Sequence, residues 1–272
     1  MLVEGRHFLP GVDPESLGHK ALAVNLSDLA AMGAAPRWVM LALALPAADE
    51  RWLAGFARGF FALAERYGVD LVGGDTTRGP LLTICVTALG EVPSGVALYR
   101  AGARPGDDIW VSGELGGASL ALARPELASV AARLHRPEPR VELGERLRGL
   151  ARAAIDVSDG LAGDLGHILE RSQVGAVVEY ARIPRPAAFE KFRQLELDCV
   201  LSGGDDYELL FTAAQPQRQE IEALGRELKI ALTRIGAIQA GAAKLVVLDA
   251  AGKPLAYRGG FDHFAPDASR GR

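Results

Sequence analysis

Two cysteines in 272 residues, Cys85 and Cys199, exclude a disulfide-stapled fold and a cysteine metal box. Cys85 lies in the apolar run LLTICVTAL and reads as a buried small hydrophobe. Aromatic residues are scarce at 6%, and the five histidines are dispersed, which leaves no histidine metal centre. Positive charge is also short. A net charge of −4 and a pI near 5.8, without runs of like charge, argue against nucleic acid as the partner, because phosphate binding wants a basic face. No long apolar run is present near the start: the stretch 39–48 is broken by Pro46 and too short to span a bilayer. Nor is there a basic region leading into an apolar core, so the expectation is a cytoplasmic protein with no signal peptide and no membrane partner. The common nucleotide and hydrolase boxes are missing too. Gly252 and Lys253 are followed by proline, which rules out a Walker A loop, and VSGELGG is not G-x-G-x-x-G. There is no H-E-x-x-H, and DVSDG lacks the first glycine of a nucleophile elbow.

What the chain does have is 49% hydrophobic residues, 24% charged residues and 32 glycines. That is a globular composition, and glycine stands at about 12% against roughly 7% on average. The glycines gather beside aspartates, which points to special backbone geometry. Spacing predicts a helix over 14–32 that stops at Gly33, and another that Asp49 caps and Gly68 closes. WVMLALAL, a short VDLVGG, LLTICVTALGEV, IWVSG, AVVEY and YELLFTA read as strands, with DTTRGP a loop. Further helices are expected at GGASLALA, 141–151, 161–171 and 216–228, and KLVVLDAAGKPLAY reads as a hairpin. Met1 runs straight into LVEG, so the chain begins inside a strand. Strands and helices alternate in both halves, giving an α/β class fold of two subdomains: an α+β N-terminal one and an α/β C-terminal one. The turn-rich RAGARPGDD, with HRPEPR a rigid link further on, sets the expected division at 1–103 and 104–272.

Aspartate recurs in tight, glycine-rich segments: Asp28 in NLSDLAAMG, Asp75 in VGGDTTRG, Asp156 and Asp159 in AIDVSDG, Asp205 and Asp206 in SGGDDYEL. Aspartate is a short, hard oxygen donor, and magnesium takes one or two such carboxylates alongside water and phosphate oxygens. Two carboxylates about 4 Å apart repel by about 4 kcal/mol at an effective dielectric of ~20, and a divalent cation reverses that sign. The pattern therefore suggests metal-bridged polyphosphate. Any one Asp-Gly segment is also an ordinary turn; Asp107, Asp108 and Asp164 are taken that way, the last as an exposed helical face. Asp28 is harder to dismiss, because it interrupts an apolar helix. Arg78 and Arg100 either clamp phosphate or pair with surface acids, and His7 and Phe261 are either packing groups or ligand contacts.

LVEGRHF, HKALAVNLSDLAAMGAAP, VGGDTTRGP, YRAGARPGDDIWVSG, HRPEPR, AIDVSDGLAGDLGHI, LSGGDDYELLF and GGFDHF, in this order, resemble the thiamine-monophosphate kinases. These belong to the superfamily that also holds aminoimidazole ribonucleotide synthetase and selenophosphate synthetase. The resemblance covers residues 2–264, and the combination of GGDTTRG with SGG-acid-DYEL is its specific part. It implies a homodimer paired through N-terminal β-structure. It also implies Mg2+-dependent, direct in-line transfer from ATP to thiamine monophosphate. By the same resemblance Asp28, Asp75 and Asp156 match catalytic magnesium ligands, and Asp159 a further ligand. Gly74, Asp75, Arg100 and Ser158 match ATP contacts; His7, Asp205 and Phe261 match the substrate side. Asp205 stands where glutamate is usual, and Phe261 lacks the hydroxyl of the tyrosine sometimes found there. The family also implies an N-terminal segment with a G-D-D motif and an aspartate just ahead of the Met1 position, so incomplete activity is the expectation for the chain as written. Two other readings follow: a silent relative that only dimerises or binds ligand, and another ATP-dependent enzyme of the superfamily. Selenophosphate synthetase is disfavoured, since neither cysteine lies in a glycine-rich N-terminal loop.

Overall fold

The computed structural model describes residues 1–260. After a short β1 (Leu2–Val3) comes α1 (Pro14–Ala31), opened by Asp13, whose carboxylate accepts from Ser16 N at 2.8 Å, with Pro14 pre-set for the first turn. Next come β2 (Ala35–Leu45) and α2 (Glu50–Tyr67). Asp49 accepts from Arg51 N and Trp52 N, and Gly68 closes α2 in the left-handed conformation, as the spacing predicts. Strands β3 (Asp70–Arg78) and β4 (Thr83–Glu91) complete a four-stranded sheet in the order β1-β4-β2-β3. The strand read at VDLVGG thus continues through DTTR, because its parallel pairing with β2 runs on to Leu45 and Arg78.

The second half holds β5 (Asp108–Ser112), α3 (Gly117–Ala123), α4 (Ala128–His135), α5 (Val141–Arg146) and β6 (Ala151–Asp156). It continues with α6 (Leu161–Ser172), β7 (Gly175–Glu179), α7 (Arg193–Leu201), β8 (Leu209–Ala213), α8 (Arg218–Leu228), β9 (Leu232–Gln239) and β10 (Leu245–Leu248). The sheet order is β10-β7-β9-β5-β8-β6, antiparallel except for the β10–β7 edge. β9, between β5 and β7, has no counterpart among the sequence expectations, because LTRIGAIQ alternates too weakly to be read as a strand. The expected hairpin at 244–257 is half right: β10 pairs with β7, and its return arm makes a single bridge, Leu248 to Pro254. The helix expected over 141–151 stops at Arg146, and Ala151 opens β6 instead.

α1 lies at the centre, and glycine lets its neighbours approach. A Cβ on Gly18 would strike the Phe56 carbonyl of α2, one on Gly59 would strike the Glu15 carbonyl of α1, and one on Gly144 of α5 would strike Ala30 O. Part of the glycine excess therefore serves helix packing rather than the acidic segments. One core joins α1 and α2 to the inner face of the first sheet and to Trp110 and Phe211 of the second. A second core fills the opposite face of the larger sheet, around Leu165, Ile168 and Val200. Cys85 is half-buried rather than fully enclosed.

Candidate active site

The packing of α1 against β6 leaves a cavity on each side of the β6–α6 turn. The first, of about 380 Å³, is lined by Asp28, Met32, Tyr99, Arg100, Asp156 and Arg171. Asp156 ends β6, is almost fully buried and accepts from Ser27 Oγ of α1 at 2.7 Å. Burial, reinforced by the Asp28 charge, pushes its carboxyl up to about 6, against the Ser27 hydrogen bond and Arg100. Asp28 opens to the cleft from the last turns of α1, and its carboxyl is also raised, chiefly by desolvation, with Arg100 opposing.

The second cavity, of about 340 Å³, has a different lining. Phe8, Leu17, Leu122 and Leu134 supply apolar wall, and His7, Ser158, Asp159 and Asp205 supply polar groups. His7 Nδ1 accepts from Val3 N at 3.1 Å. Asp205 accepts from Lys20 Nζ at 3.0 Å on one oxygen and from the Tyr207 hydroxyl at 2.9 Å on the other. Asp205 and Tyr207 both have left-handed backbones (φ 70° and 52°), a strain held by Asp205 N donating to Ser158 O and Tyr207 N to Val157 O.

Asp164 corrects the sequence reading. It is buried, not an exposed face, and its Oδ2 accepts from Ser158 N and Asp159 N, both at 3.0 Å. α6 thus grips the turn that separates the two cavities. Desolvation above all, with the charges of Asp156 and Asp159 adding, pushes the Asp164 carboxyl up to about 7, its two backbone hydrogen bonds opposing. Asp206 caps the start of α3, accepting from Gly116 N at 2.6 Å and Ala118 N at 3.3 Å; complete burial pushes it up to about 8. Asp107 and Asp108 pair with Arg152 and Arg218, as structural turn residues do.

The fold therefore gathers Asp28, Arg100 and Asp156 in one cavity, and His7, Ser158, Asp159 and Asp205 in the other. Gly74 and Asp75 line neither. They sit on β3, all nine residues of which are exposed, and Asp75 Oδ1 accepts from Thr76 N at 2.8 Å. A side chain at Gly74 would collide with Leu41 O of β2, so glycine is required there by strand packing. Phe261 lies outside the described residues. Among the described residues, no group of three or more His, Cys, Asp or Glu side chains is arranged to hold a metal. Asp28 and Asp156, which line the same cavity, nonetheless fit a magnesium ion that takes two carboxylates and draws its other ligands from phosphate and water, since a cation there would offset both the burial that chiefly raises Asp156 and the Asp28 charge that adds to it. Lys20, Arg171 and Tyr207 escaped the sequence reading. Lys20 had a usable signal, being as anomalous in the apolar HKALAV as Asp28 is in its own helix.

Two sheets flanked by helices, with one cavity holding two acids and two arginines and a second holding Lys20, His7 and two acids, define the class, and the family comparison agrees. The chain matches the AIR synthase related protein N-terminal domain over residues 1–92 and the C-terminal domain over 104–248. It is 45% identical to the thiamine-monophosphate kinase of Escherichia coli (strain K12) over 277 residues, 97% of this chain and 85% of that one. Its fold superposes on the crystal structure of thiamine-monophosphate kinase from Stenotrophomonas maltophilia K279a with a TM-score of 0.87 at 48% identity, covering 93% of this chain and 84% of that one. AaThiL complexed with AMPPCP and TMP gives 0.84 at 30% identity, covering 97% and 85%. The chain belongs to the thiamine-monophosphate kinase family.

Proposed function

We propose that this chain catalyses ATP-dependent phosphorylation of thiamine monophosphate: the γ-phosphoryl group passes in line to the acceptor phosphate, giving thiamine diphosphate and ADP. The carrying observation is the pair of cavities on either side of the 156–159 turn: one sets Asp28, Asp156, Arg100 and Arg171 among apolar residues such as Met32, Leu98 and Ile155, and the other sets His7, Lys20, Asp159 and Asp205 beside Phe8, Leu17 and Leu122. A nucleotide polyphosphate suits the first, and an acceptor with an aromatic body and a charged tail suits the second. AaThiL binds AMPPCP and TMP together, and this chain aligns with 85% of it.

In this reading Asp28 and Asp156 hold Mg2+, with Asp75 and Asp159 as further ligands. Arg100 contacts ATP in the first cavity, and His7 and Asp205 serve the acceptor in the second. Ser158, from the turn between the cavities, and Gly74 and Asp75, from β3, are ATP contacts on the resemblance alone, as Phe261 is for the acceptor. The ion, when bound, neutralises charge developing on the transferred group. The chain's own work is positioning: Ser27 orients Asp156, Asp164 holds the amides of Ser158 and Asp159, and Arg100 offsets the acids. The acceptor is already an anionic oxygen, so no side chain is needed as a general base.

The active form is a homodimer, in our reading. Among the described residues β3 offers an unpaired edge, and Trp38, Met40, Val72 and Leu89 leave the first sheet's outer face apolar and exposed, a surface that a second copy would cover. The division into 1–103 and 104–272 is supported by the family matches, which leave 93–103 between them. Among the described residues no helix is long and apolar enough to cross a membrane, and we place the enzyme in the cytoplasm, where its ATP is. The test is incubation with ATP, Mg2+ and thiamine monophosphate, followed by chromatography. Thiamine diphosphate is the expected product, and its absence would refute the proposal.

A further inference from the structure

The chain has five lysines, and four are exposed; Lys20 is 3% exposed, facing the half-apolar cavity. A buried ammonium loses hydration, and pairing it with a carboxylate seldom returns a net gain in stability. Its placement is better explained by what it does to its partner. Lys20 Nζ holds Asp205 Oδ2 at 3.0 Å while the Tyr207 hydroxyl holds Oδ1 at 2.9 Å, so the carboxylate is tethered at both ends. The Asp205 backbone is fixed as well, by its left-handed φ and its bond to Ser158 O. The side chain of Asp205 remains 32% exposed beside a Lys20 side chain only 4% exposed. Each carboxylate oxygen accepts more than one hydrogen bond, so lone pairs remain free to face the cavity. Thiamine monophosphate carries an exocyclic amine and a cationic ring, either of which such an oriented carboxylate can recognise.

We propose that Lys20 is a positioning residue for the acceptor: from α1 it sets the Asp205 carboxylate in the orientation that binds thiamine monophosphate, without touching the nucleotide. This rests on the assignment of Asp205 to the acceptor side. A residue that served folding alone would disturb both substrates, whereas a positioning residue disturbs one. The test is calorimetric binding of thiamine monophosphate and, separately, of AMPPCP, with KM and kcat measured alongside. Lys20→Met should weaken thiamine monophosphate binding and raise its KM by about tenfold, with AMPPCP affinity held within about twofold. Lys20→Arg, which keeps the charge, should recover part of the loss. Unchanged affinity for thiamine monophosphate in Lys20→Met, or an equal loss for both ligands, overturns the proposal. Asp205→Asn separates the two levels of the argument. If it leaves thiamine monophosphate binding intact, the assignment of Asp205 is wrong; if it weakens binding while Lys20→Met does not, only the role of Lys20 fails. Should Lys20→Met not fold, the change is made within Asp205→Asn, where no carboxylate is left unpaired. Adding it there should cost less than about twofold, and a further tenfold loss would overturn the inference.

Discussion

The acid–arginine cavity and the loop that walls the other one handle buried charge in opposite ways. At Asp28 and Asp156 burial raises both carboxyls, the Asp28 charge adds to the rise at Asp156, and Arg100 and the Ser27 hydrogen bond only partly oppose it. Around residues 203–208 two of the three acids have cationic partners, and the third, Asp206, is held by the amides of Gly116 and Ala118. Asp205 has Lys20, and the fully enclosed Glu208 accepts from Arg140 through two hydrogen bonds, at 2.6 and 2.7 Å, and from Arg133 and Ser112. The first region is completed by what it binds; the second is complete before anything binds. The lesson is that a buried acid marks a ligand site when its partners are missing, and a scaffold when they are present.

Substitutions in the two regions should therefore move stability in opposite directions. The largest effect expected is on turnover: Asp156→Asn should lower kcat by roughly a thousandfold in the chromatographic assay while the protein remains folded. Retention of activity within tenfold would remove Asp156 from the reacting centre. Next, Arg140→Met should destabilise the protein by about 3–5 kcal/mol in urea titration, because Glu208 would stay buried without its main partner. A loss under 1 kcal/mol would mean that the matched region is not held by its ion pairs.

The third effect is a pH dependence. Asp156, Asp164 and Asp206 have folded pKa values near 6, 7 and 8, above the ordinary 3.8. The folded state therefore holds these protons more tightly than the unfolded one. The stability they contribute is complete below about pH 4 and is lost as pH rises through 6 to 8. Asp156→Asn should remove the part near pH 6 and raise ligand-free stability at pH 8 by about 1–3 kcal/mol, measured by thermal and urea unfolding. Mg2+ with ATP should raise the melting temperature more at pH 8 than at pH 5, since a protonated carboxyl is a poor cation ligand. A larger rise at pH 5 would break the contrast drawn between the regions. The smallest effect is the calibration: Arg146→Ala removes an exposed pair with Glu227 and should shift the melting temperature by less than about 2 °C.

Much of this architecture is legible along the chain. Asp13 and Asp49 cap their helices, Gly68 closes α2, and apolar spacing outlines α1, α2 and α6. These are local effects, acting over a few residues, so a linear reading reaches them. The aspartate motifs were equally visible, and their order along the chain carried the resemblance to the kinases. β9 was not visible, because its place at the sheet centre comes from β5 and β7 on either side rather than from its own pattern. Asp164 looked like a surface residue, because nothing in its helix shows that its carboxylate will find two amides of the preceding turn.

The amino-acid sequence by itself determined the class of fold, the helix ends, the acidic character of the site and the family. Those follow from short-range spacing and from residue types that only certain chemistry wants. Tertiary structure alone decided how the motifs are shared out. Asp156 and Asp159 are three residues apart yet face different cavities, while Lys20 and Asp205 lie 185 positions apart and meet at 3.0 Å. The physical reason is that packing, not proximity along the chain, sets which charges face each other and how much water lies between them. Those two quantities decide whether an aspartate is a ligand, a tether or a cap.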